Sequence, residues 1–319
     1  MFPFRNILFP TDFSAHSHAA LKYAAGFARD QHGRVLLLNV QDAKVPANLL
    51  TLPAYVFEEQ ENQWLLELRS KAKELIADPL LAGVEVDPVF VEGEPAAEIA
   101  RVAFEHEVDL ITVVTRGRNR LLSRAFGGSI AEEIIAEAPC TVLAIRPPQR
   151  DFVEHRGGQT QIRLNRVLLA TNFRPSSAAA TQLATNISNH LGAELHAVYV
   201  IGDYFEQISM MFPEGGLAAL TRLRSHVQER MGQLSRSFGP KSSTHIVEGR
   251  PYQEIVKLAA DLDADLIVIG TAVHGSLFGS SHVLGSEIER VIRNAPCPVL
   301  CVPAAKVVTP LPALVTQVV

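Results

Sequence analysis

An internal repeat constrains this chain more than any other feature of its sequence. The segment VDLITVVT at Val108–Thr115 recurs as ADLIVIGT at Ala264–Thr271, and EGEPAAEIARVA from Glu92 recurs as EGRPYQEIVKLA from Glu248. The two members of each pair lie 156 residues apart. Because the separation is the same for both motifs, one folding unit occurs twice, and we expect two similar domains.

The length of the chain agrees with two domains. It has 319 residues, and a single hydrophobic core usually stops growing at about 100 to 200 residues. Between the two copies, the segment Pro147–Gln161 has the proline, glycine and charge mixture of a linker. We therefore predict a first domain at 1–148, a linker at 149–161, a second domain at 162–303 and a C-terminal tail at 304–319.

Composition excludes several classes of partner. A net charge of -5 argues against nucleic acid or anionic lipid, because both are bound through clustered positive charge. No stretch approaches the roughly 18 apolar residues that span a bilayer, and the N-terminal MFPFRNILFP lacks a signal-peptide pattern. The three cysteines, Cys140, Cys297 and Cys301, show no metal-ligand spacing. We expect a cytoplasmic protein without a metal site or a disulfide framework.

Within each copy, short apolar runs alternate with longer amphipathic ones, which is typical of a parallel sheet crossed by helices. The first copy predicts strands at Asn6–Phe9, Val35–Val40, Val84–Val91, Leu110–Thr115 and Thr141–Ile145, and the second repeats this order from Arg166 to Val302. We predict an α/β protein with two tandem, doubly wound, five-stranded parallel sheets. Ligands of such sheets bind beyond the carboxyl ends of the strands.

Polar and glycine-rich segments follow the predicted strands at that edge. In the first copy they are Pro10-Thr11-Asp12, Val40, the loop Thr115-Arg116-Gly117-Arg118, and Gly127-Gly128-Ser129 before a helix. In the second copy the corresponding stretch is Gly270–Ser286. Glycine lets backbone approach a ligand closely, and a helix N-terminus favours a phosphate. Glycine and serine before a helix are also ordinary capping chemistry, so a purely structural reading stays open.

These residues resemble the universal stress protein family over Phe4 to about Pro303. ATP-binding members of that family carry glycine, two residues, glycine, nine residues, then glycine with serine or threonine. The resemblance implies a Rossmann-like, adenine nucleotide alpha hydrolase-like fold and a bound ATP, AMP or ADP, with Mg²⁺ as an accompanying ion. It implies the nucleotide-contacting residues Pro10, Thr11, Asp12, Val40, Thr115, Gly117, Arg118, Gly127, Gly128, Ser129, Asn172, Val200, Gly270, Thr271, Gly275, Gly285 and Ser286.

Each copy departs from the family motif at a different place. Val114 stands where the first glycine is expected, and its Cβ would crowd a nucleotide. In the second copy Gly275 comes two residues late, and Asn172 replaces the aspartate at Asp12. An asparagine can bond a ribose hydroxyl, but it lacks the charge that raises such a bond from about 1 to about 1.5–3 kcal/mol. Two interpretations of Asp12 remain at this point: it binds the ribose, or it caps the first helix.

Two functions from different classes are consistent with these residues. The first is a stress-response protein that binds an adenine nucleotide in one or both domains and acts as a nucleotide-responsive regulator. The second is a structural or interaction protein whose pockets no longer bind nucleotide. The chain contains no P-loop, no Gly-Xaa-Gly-Xaa-Xaa-Gly after the first strand and no Gly-Xaa-Ser-Xaa-Gly turn. We therefore expect no enzyme, and at most slow ATP hydrolysis.

Strand 5 of each copy predicts how the halves meet. The segments TVLAI and PVLCV are apolar and fall at a sheet edge, and exposed apolar edges are normally paired or covered. The family resemblance implies that strand 5 meets its counterpart, so the halves would form a pseudo-dimer, with a further homodimer left open.

We expect the histidines and cysteines discussed next to have structural roles and not catalytic ones. His16 and His18 lie two apart on a predicted helix and cannot share a metal, so a solvated face is expected. Cys140 and Cys297 occupy matching positions before strand 5, which fits small buried side chains.

Overall fold

The computed structural model describes residues 4–41, 54–115, 130–147, 149–156, 159–203, 211, 216–271 and 285–304. At 54–64, 156, 159 and 216–217 it describes the backbone alone. Among the described residues, no helix is both long enough and apolar enough to cross a membrane.

The first half contains five strands and five helices within the described part of the chain. The strands are β1 (Asn6–Pro10), β2 (Arg34–Gln41), β3 (Glu85–Glu92), β4 (Leu110–Val114) and β5 (Thr141–Ile145). The helices are α1 (Ala15–His18), α2 (Leu21–Asp30), α3 (Ala54–Ile76), α4 (Pro95–Glu105) and α5 (Ile130–Glu137), with a 3₁₀ turn at Pro79–Leu81.

The second half repeats this order after a hairpin of two strands, β6 (Val153–Arg156) and β7 (Gln159–Ile162). Its strands are β8 (Arg166–Ala170), β9 (Glu194–Gly202), β10 (Ser242–Gly249), β11 (Leu266–Thr271) and β12 (Val299–Pro303). Its described helices are α6 (Pro175–Leu191), α7 (Gly216–Ser237), α8 (Pro251–Asp261) and α9 (Ser286–Asn294).

The ten strands of the two halves form one sheet in the order β10-β9-β8-β11-β12-β5-β4-β1-β2-β3. Within each half all neighbouring strands are parallel, which confirms the predicted doubly wound α/β fold. Between the halves, β12 pairs antiparallel with β5, with Val299 opposite Ala144 and Cys301 opposite Val142. The helices cover both faces of the sheet and bury one apolar cluster on each side.

The aspartate in the repeated DLI motif holds the start of the first strand of each half. Asp109 Oδ2 accepts the backbone N–H groups of Arg5 and Asn6, both at 2.9 Å. Asp265 Oδ2 accepts those of Asn165 at 2.7 Å and Arg166 at 3.0 Å. Backbone N–H groups at a strand end need an acceptor, so this part of the repeat serves the fold.

The segment between the halves is folded, although the sequence marked it only as a linker. The β6–β7 hairpin packs on α2, where Phe152 makes edge-to-face contacts with Tyr23 and Phe27. Gly26 of α2 leaves room for this contact, because a Cβ there would lie 3.3 Å from Val153 Cγ1. Before the hairpin, Arg150 donates to the carbonyl oxygen and carboxylate of Asp263 in the second half.

Side chains also join the halves beside the β5–β12 contact. Arg293 of α9 makes a bidentate ion pair with Glu132 of α5, at 2.7 and 2.8 Å. Arg146 Nη2 donates to the Ala295 carbonyl oxygen at 2.8 Å. Planar, two-bond contacts between arginine and carboxylate restrict geometry as well as adding energy, so this pair links α9 to α5 beside the central strands.

Replacing Asp265 by alanine should destabilise the second half. The substitution leaves two backbone N–H groups without their charged acceptor, at a cost of about 3 kcal/mol. Asp261→Ala is the matched control, because Asp261 is exposed at the carboxyl end of α8, where a negative charge is slightly unfavourable. Thermal unfolding should show a melting temperature several degrees lower for Asp265→Ala only. Equal melting temperatures would contradict this role of the repeated aspartate.

Candidate functional site

The candidate site of the first half lies where the chain leaves β1. Strand β1 has β2 on one side and β4 on the other, so the connections from these strands diverge at its carboxyl end. A crevice forms at such a point in doubly wound sheets. The predicted residues Pro10, Thr11, Asp12, Val40 and Thr115 all lie at this edge.

The turn after β1 is held by its own polar groups. Thr11 is buried, its N–H donates to the Leu38 carbonyl oxygen at 2.8 Å, and its hydroxyl lies 3.0 Å from Ser17 Oγ. Phe13, two residues after Thr11, has a φ of 61°, which is uncommon for an aromatic residue. Strained backbone of this kind is found at functional sites more often than elsewhere.

Asp12 braces the first helix without capping it. Its Oδ1 accepts the Ser14 hydroxyl at 2.6 Å and the Ser14 N–H at 3.0 Å. The cap of α1 is Ser14, whose side chain accepts the N–H of Ser17. Burial raises the pKa of Asp12, but the hydrogen bonds from Ser14 outweigh it, and the pKa lies below its ordinary value. The carboxylate is therefore ionised at neutral pH.

A cavity of about 320 Å³, the strand-end cavity, opens beside Asp12. One wall comes from the ends of β1 and β2 and the other from helix α3. Its lining residues are Asp12, Phe13, Asn39, Val40, Gln41, Glu67, Leu68 and Lys71. The predicted residues Asp12 and Val40 are thus brought together around one space.

A second cavity of about 620 Å³, the helix-side cavity, adjoins the first and shares Asp12, Phe13 and Lys71 with it. On its wall His18 Nε2 lies 2.8 Å from Asp78 Oδ2. His18 is partly exposed, as expected, but it also has a partner that the sequence did not reveal. Burial raises the pKa of Asp78, but the hydrogen bonds from His18 and the Leu80 N–H prevail and lower it.

Three polar groups form a hydrogen-bonded chain at the inner wall of the strand-end cavity. Asn39, only 2% exposed, donates from Nδ2 to the Thr11 carbonyl oxygen at 2.7 Å. Its Oδ1 accepts Gln41 Nε2 at 2.5 Å. Sequence reasoning missed Asn39, Gln41 and Lys71. The one available signal was an asparagine inside the otherwise apolar strand VLLLNV, since a buried polar side chain needs partners.

The second half builds the same turn. Thr171 N–H donates to the Val198 carbonyl oxygen at 3.0 Å, and Phe173 has a φ of 58°. Asn172 Oδ1 accepts the Ser177 hydroxyl at 2.6 Å and the Arg174 N–H at 3.0 Å. Asn172 thus has the bracing role of Asp12 but carries no charge.

Stacked side chains occupy the neighbourhood of this second turn. The rings of Phe173 and Tyr199 stack with centroids 4.9 Å apart, and the Arg230 guanidinium lies 4.6 Å from the Phe173 centroid. By strand register, Tyr199 corresponds to Asn39. Leu68 and Ala72 are buried positions of α3, and Val227 and Met231 are buried positions of α7 with the same spacing. Aligning these positions places Arg230 opposite Lys71. The residues that line a cavity in the first half therefore have stacked counterparts in the second.

Gly270 has a packing role in the structure. A Cβ on Gly270 would lie 2.2 Å from the Ser176 carbonyl oxygen in the first turn of α6. The equivalent residue Val114 is partly buried against the core, and in that half the first helix is divided into α1 and α2. The Cβ of Val114 excludes the close helix approach that Gly270 permits.

The other described candidates have ordinary surroundings. Thr115 is buried and donates its hydroxyl to the Ile145 carbonyl oxygen at 3.3 Å, and Thr271 is buried at the end of β11. Gly285 is the N-cap of α9, which begins at Ser286. Val200 packs against the apolar cluster on one face of the sheet. Pro10 ends β1. The predicted Gly117, Arg118, Gly127, Gly128, Ser129 and Gly275 lie outside the described residues.

The three cysteine thiols lie in surroundings that disfavour the thiolate. Burial raises the pKa of Cys140, Cys297 and Cys301 to about 12, so the thiolate is negligible at neutral pH. Within the described ranges, no three histidine, cysteine, aspartate or glutamate side chains are grouped so that they could hold a metal ion.

The fold and the paired turns define a tandem α/β protein made of two doubly wound units. The model of the universal stress protein family matches residues 3–146 and 163–303. The chain therefore belongs to the universal stress protein family, as a member with two domains in tandem, and this confirms the resemblance found in the sequence.

Individual relatives agree with a duplicated unit. A universal stress protein of Methanocaldococcus jannaschii is 34% identical over 151 residues, covering 44% of this chain and 83% of the relative. One of Thermus aquaticus is 30% identical over 145 residues, covering 45% of this chain and 99% of the relative. The crystal structure of a universal stress protein from Archaeoglobus fulgidus covers 95% of this chain and all of its own, with a TM-score of 0.62 at 23% identity. At that identity the likeness shows the fold alone.

Replacing Gly270 by alanine should lower stability, because the added methyl meets helix backbone that cannot move without shifting α6. We expect a loss of about 1–3 kcal/mol, measured by thermal or denaturant unfolding. Gly232→Ala is the control, since a Cβ in that part of α7 has its nearest neighbour at 4.0 Å and alanine favours helix by about 1 kcal/mol. An unchanged melting temperature for Gly270→Ala together with lost ATP binding would show that the glycine serves a ligand instead.

Proposed function

We propose that this protein binds one adenine nucleotide, ATP, ADP or AMP, in its first half and acts as a nucleotide-responsive regulator in a stress response. The observation that carries the proposal is the strand-end cavity, which brings the ionised Asp12, Val40 and Lys71 together at the switch point of the sheet. Its volume of about 320 Å³ falls within the range of small-molecule pockets, roughly 300–1,000 Å³.

The groups around this cavity suit the parts of a nucleotide. The Asp12 carboxylate can accept ribose hydroxyls, and charge-assisted bonds of this kind contribute about 1.5–3 kcal/mol each. Lys71 lies on the wall shared by both cavities and supplies a positive charge for phosphate. Helix α5 begins at Ile130, directly after the predicted Gly127-Gly128-Ser129, so its N-terminus would favour the phosphates. Mg²⁺ would enter with the triphosphate, held by its oxygens.

The second half is proposed to be a copy that no longer takes nucleotide. Tyr199, Phe173 and Arg230 stack where the first half has cavity-lining residues. The neutral Asn172 replaces the charged acceptor, and its Oδ1 already accepts two hydrogen bonds. A base would have to displace an aromatic stack and a cation–π contact, which together are worth about 1–3 kcal/mol.

The proposal also covers the domains, the pairing of the halves, the location and the absence of fast catalysis. We take 1–148 and 162–303 as the two domains, paired through strand 5 as a pseudo-dimer, and leave a further homodimer as an addition. The protein would work in the cytoplasm as a binding protein, with ATP hydrolysis slow or absent. Rapid turnover of ATP by the purified protein would overturn that assignment.

Isothermal titration of ATP with Mg²⁺ tests the proposal through Asp12→Ala. We expect one ATP per chain in the wild-type protein and at least about tenfold weaker binding in this variant, because a charge-assisted bond to ribose is lost. Ser14→Ala removes the brace but keeps the carboxylate, and Asn172→Ala changes the matching residue of the second half. Both controls should bind within about threefold of the wild type.

Other results of this titration have distinct meanings. Two equal sites, with one lost in Asn172→Ala, would contradict the assignment to the first half. No heat and no thermal shift with ATP, ADP or AMP would overturn nucleotide binding, and the interaction-protein alternative would then take its place.

A further inference from the structure

The structure assigns to Gln41 a role in selecting the base: we propose that its side-chain carbonyl faces the strand-end cavity as a fixed acceptor and favours a base with an exocyclic amine over one with a carbonyl. The inference rests on the proposed nucleotide site and goes beyond it, because the residues contacted by ribose and phosphate do not distinguish adenine from hypoxanthine or guanine.

The direction of the hydrogen-bonded chain follows from its buried end. The Thr11 carbonyl oxygen can only accept, so the Asn39 atom 2.7 Å from it must be the donor Nδ2. Asn39 Oδ1 must then be the atom that points to Gln41. An amide orientation that cannot be seen directly is thus determined by its hydrogen-bond partners.

The Gln41 amide is oriented by its contact with Asn39. Since Asn39 Oδ1 can only accept, the Gln41 atom 2.5 Å away must be the donor Nε2. The other end of the Gln41 amide, the carbonyl Oε1, is then the part directed away from Asn39. Residues two apart on a strand share one face, and both side chains line the strand-end cavity.

Reversing this arrangement would be unfavourable. Asn39 is only 2% exposed, and a flipped Asn39 amide would set its own oxygen against the Thr11 carbonyl oxygen. A flip of Gln41 alone would set its oxygen against Asn39 Oδ1. A buried group such as the Asn39 amide that faces a like group loses its bond without compensation from water. The end of the Gln41 amide that points away from Asn39 is therefore the acceptor Oε1, and Nε2 keeps one N–H besides the one that it donates to Asn39.

The second half supplies an internal comparison. The positions of Asn39 and Gln41 are taken there by Tyr199 and Ile201, which cannot form an amide chain. The chain of three polar groups is accordingly a feature of the first half, beside the strand-end cavity.

Comparison of ATP with inosine triphosphate tests the inference, because the two differ in the exocyclic group at C6, an amine in one and a carbonyl in the other. We expect the wild-type protein to bind ATP at least about tenfold more tightly, since its C6 amine can donate to Gln41 Oε1, whereas the C6 carbonyl of inosine triphosphate would face that oxygen. Gln41→Met, of similar length without hydrogen-bonding groups, should bring the ratio of the two dissociation constants close to one. Lys71→Met is the control, and it should weaken both ligands by the same factor and leave their ratio unchanged.

The outcomes separate this inference from the proposed function. Equal affinity of the wild-type protein for both nucleotides would overturn the role of Gln41 and leave nucleotide binding standing. A ratio that survives in Gln41→Met would also overturn it. Binding of neither nucleotide would overturn the proposed site and this inference together. The wild-type ratio is decisive even where a variant fails to fold, and Gln41→Ile, which copies the second half, provides a second substitution.

Discussion

The antiparallel contact between β5 and β12 is the interaction on which the whole sheet depends. Each is the outermost strand of its half, and the paired residues are apolar and buried. Separated, each half would present an open apolar strand edge, which in other proteins leads to unwanted pairing. Joining the two removes both edges. Since all other neighbouring strands of the sheet are parallel, the strands of one half run in the opposite direction to those of the other. The carboxyl ends of the strands in the two halves therefore point in opposite directions, and the two strand-end turns are far apart in the fold.

This separation explains why the copies have changed so differently. The features that hold backbone are present in both halves, including the acceptor carboxylates of Asp109 and Asp265 and the positive φ of Phe13 and Phe173. The side chains that face the cavity differ, as with Asn39 against Tyr199. Because the two turns are far apart, the side chains beside one of them can differ from those beside the other while the duplicated framework stays intact.

The fold could be read from the sequence to within a few residues. The repeat and the alternation of apolar runs predicted every strand of the first half, and β3, for instance, shifts by one residue to Glu85–Glu92. The cavity could not be predicted in the same way, because one of its walls is α3, which contributes Leu68 and Lys71. No local pattern connects those residues to Asp12. The β6–β7 hairpin also escaped prediction, since its stability comes from packing of Phe152 against α2.

Gly270 shows why a motif residue needs its surroundings before it is assigned to a ligand. The resemblance placed it in a nucleotide motif, and Val114 was read as a departure that crowds the ligand. In the structure the glycine admits the Ser176 carbonyl oxygen, and Val114 accompanies a first helix that is divided into two. A single Cβ thus decides how closely the first helix lies against the strand beside it.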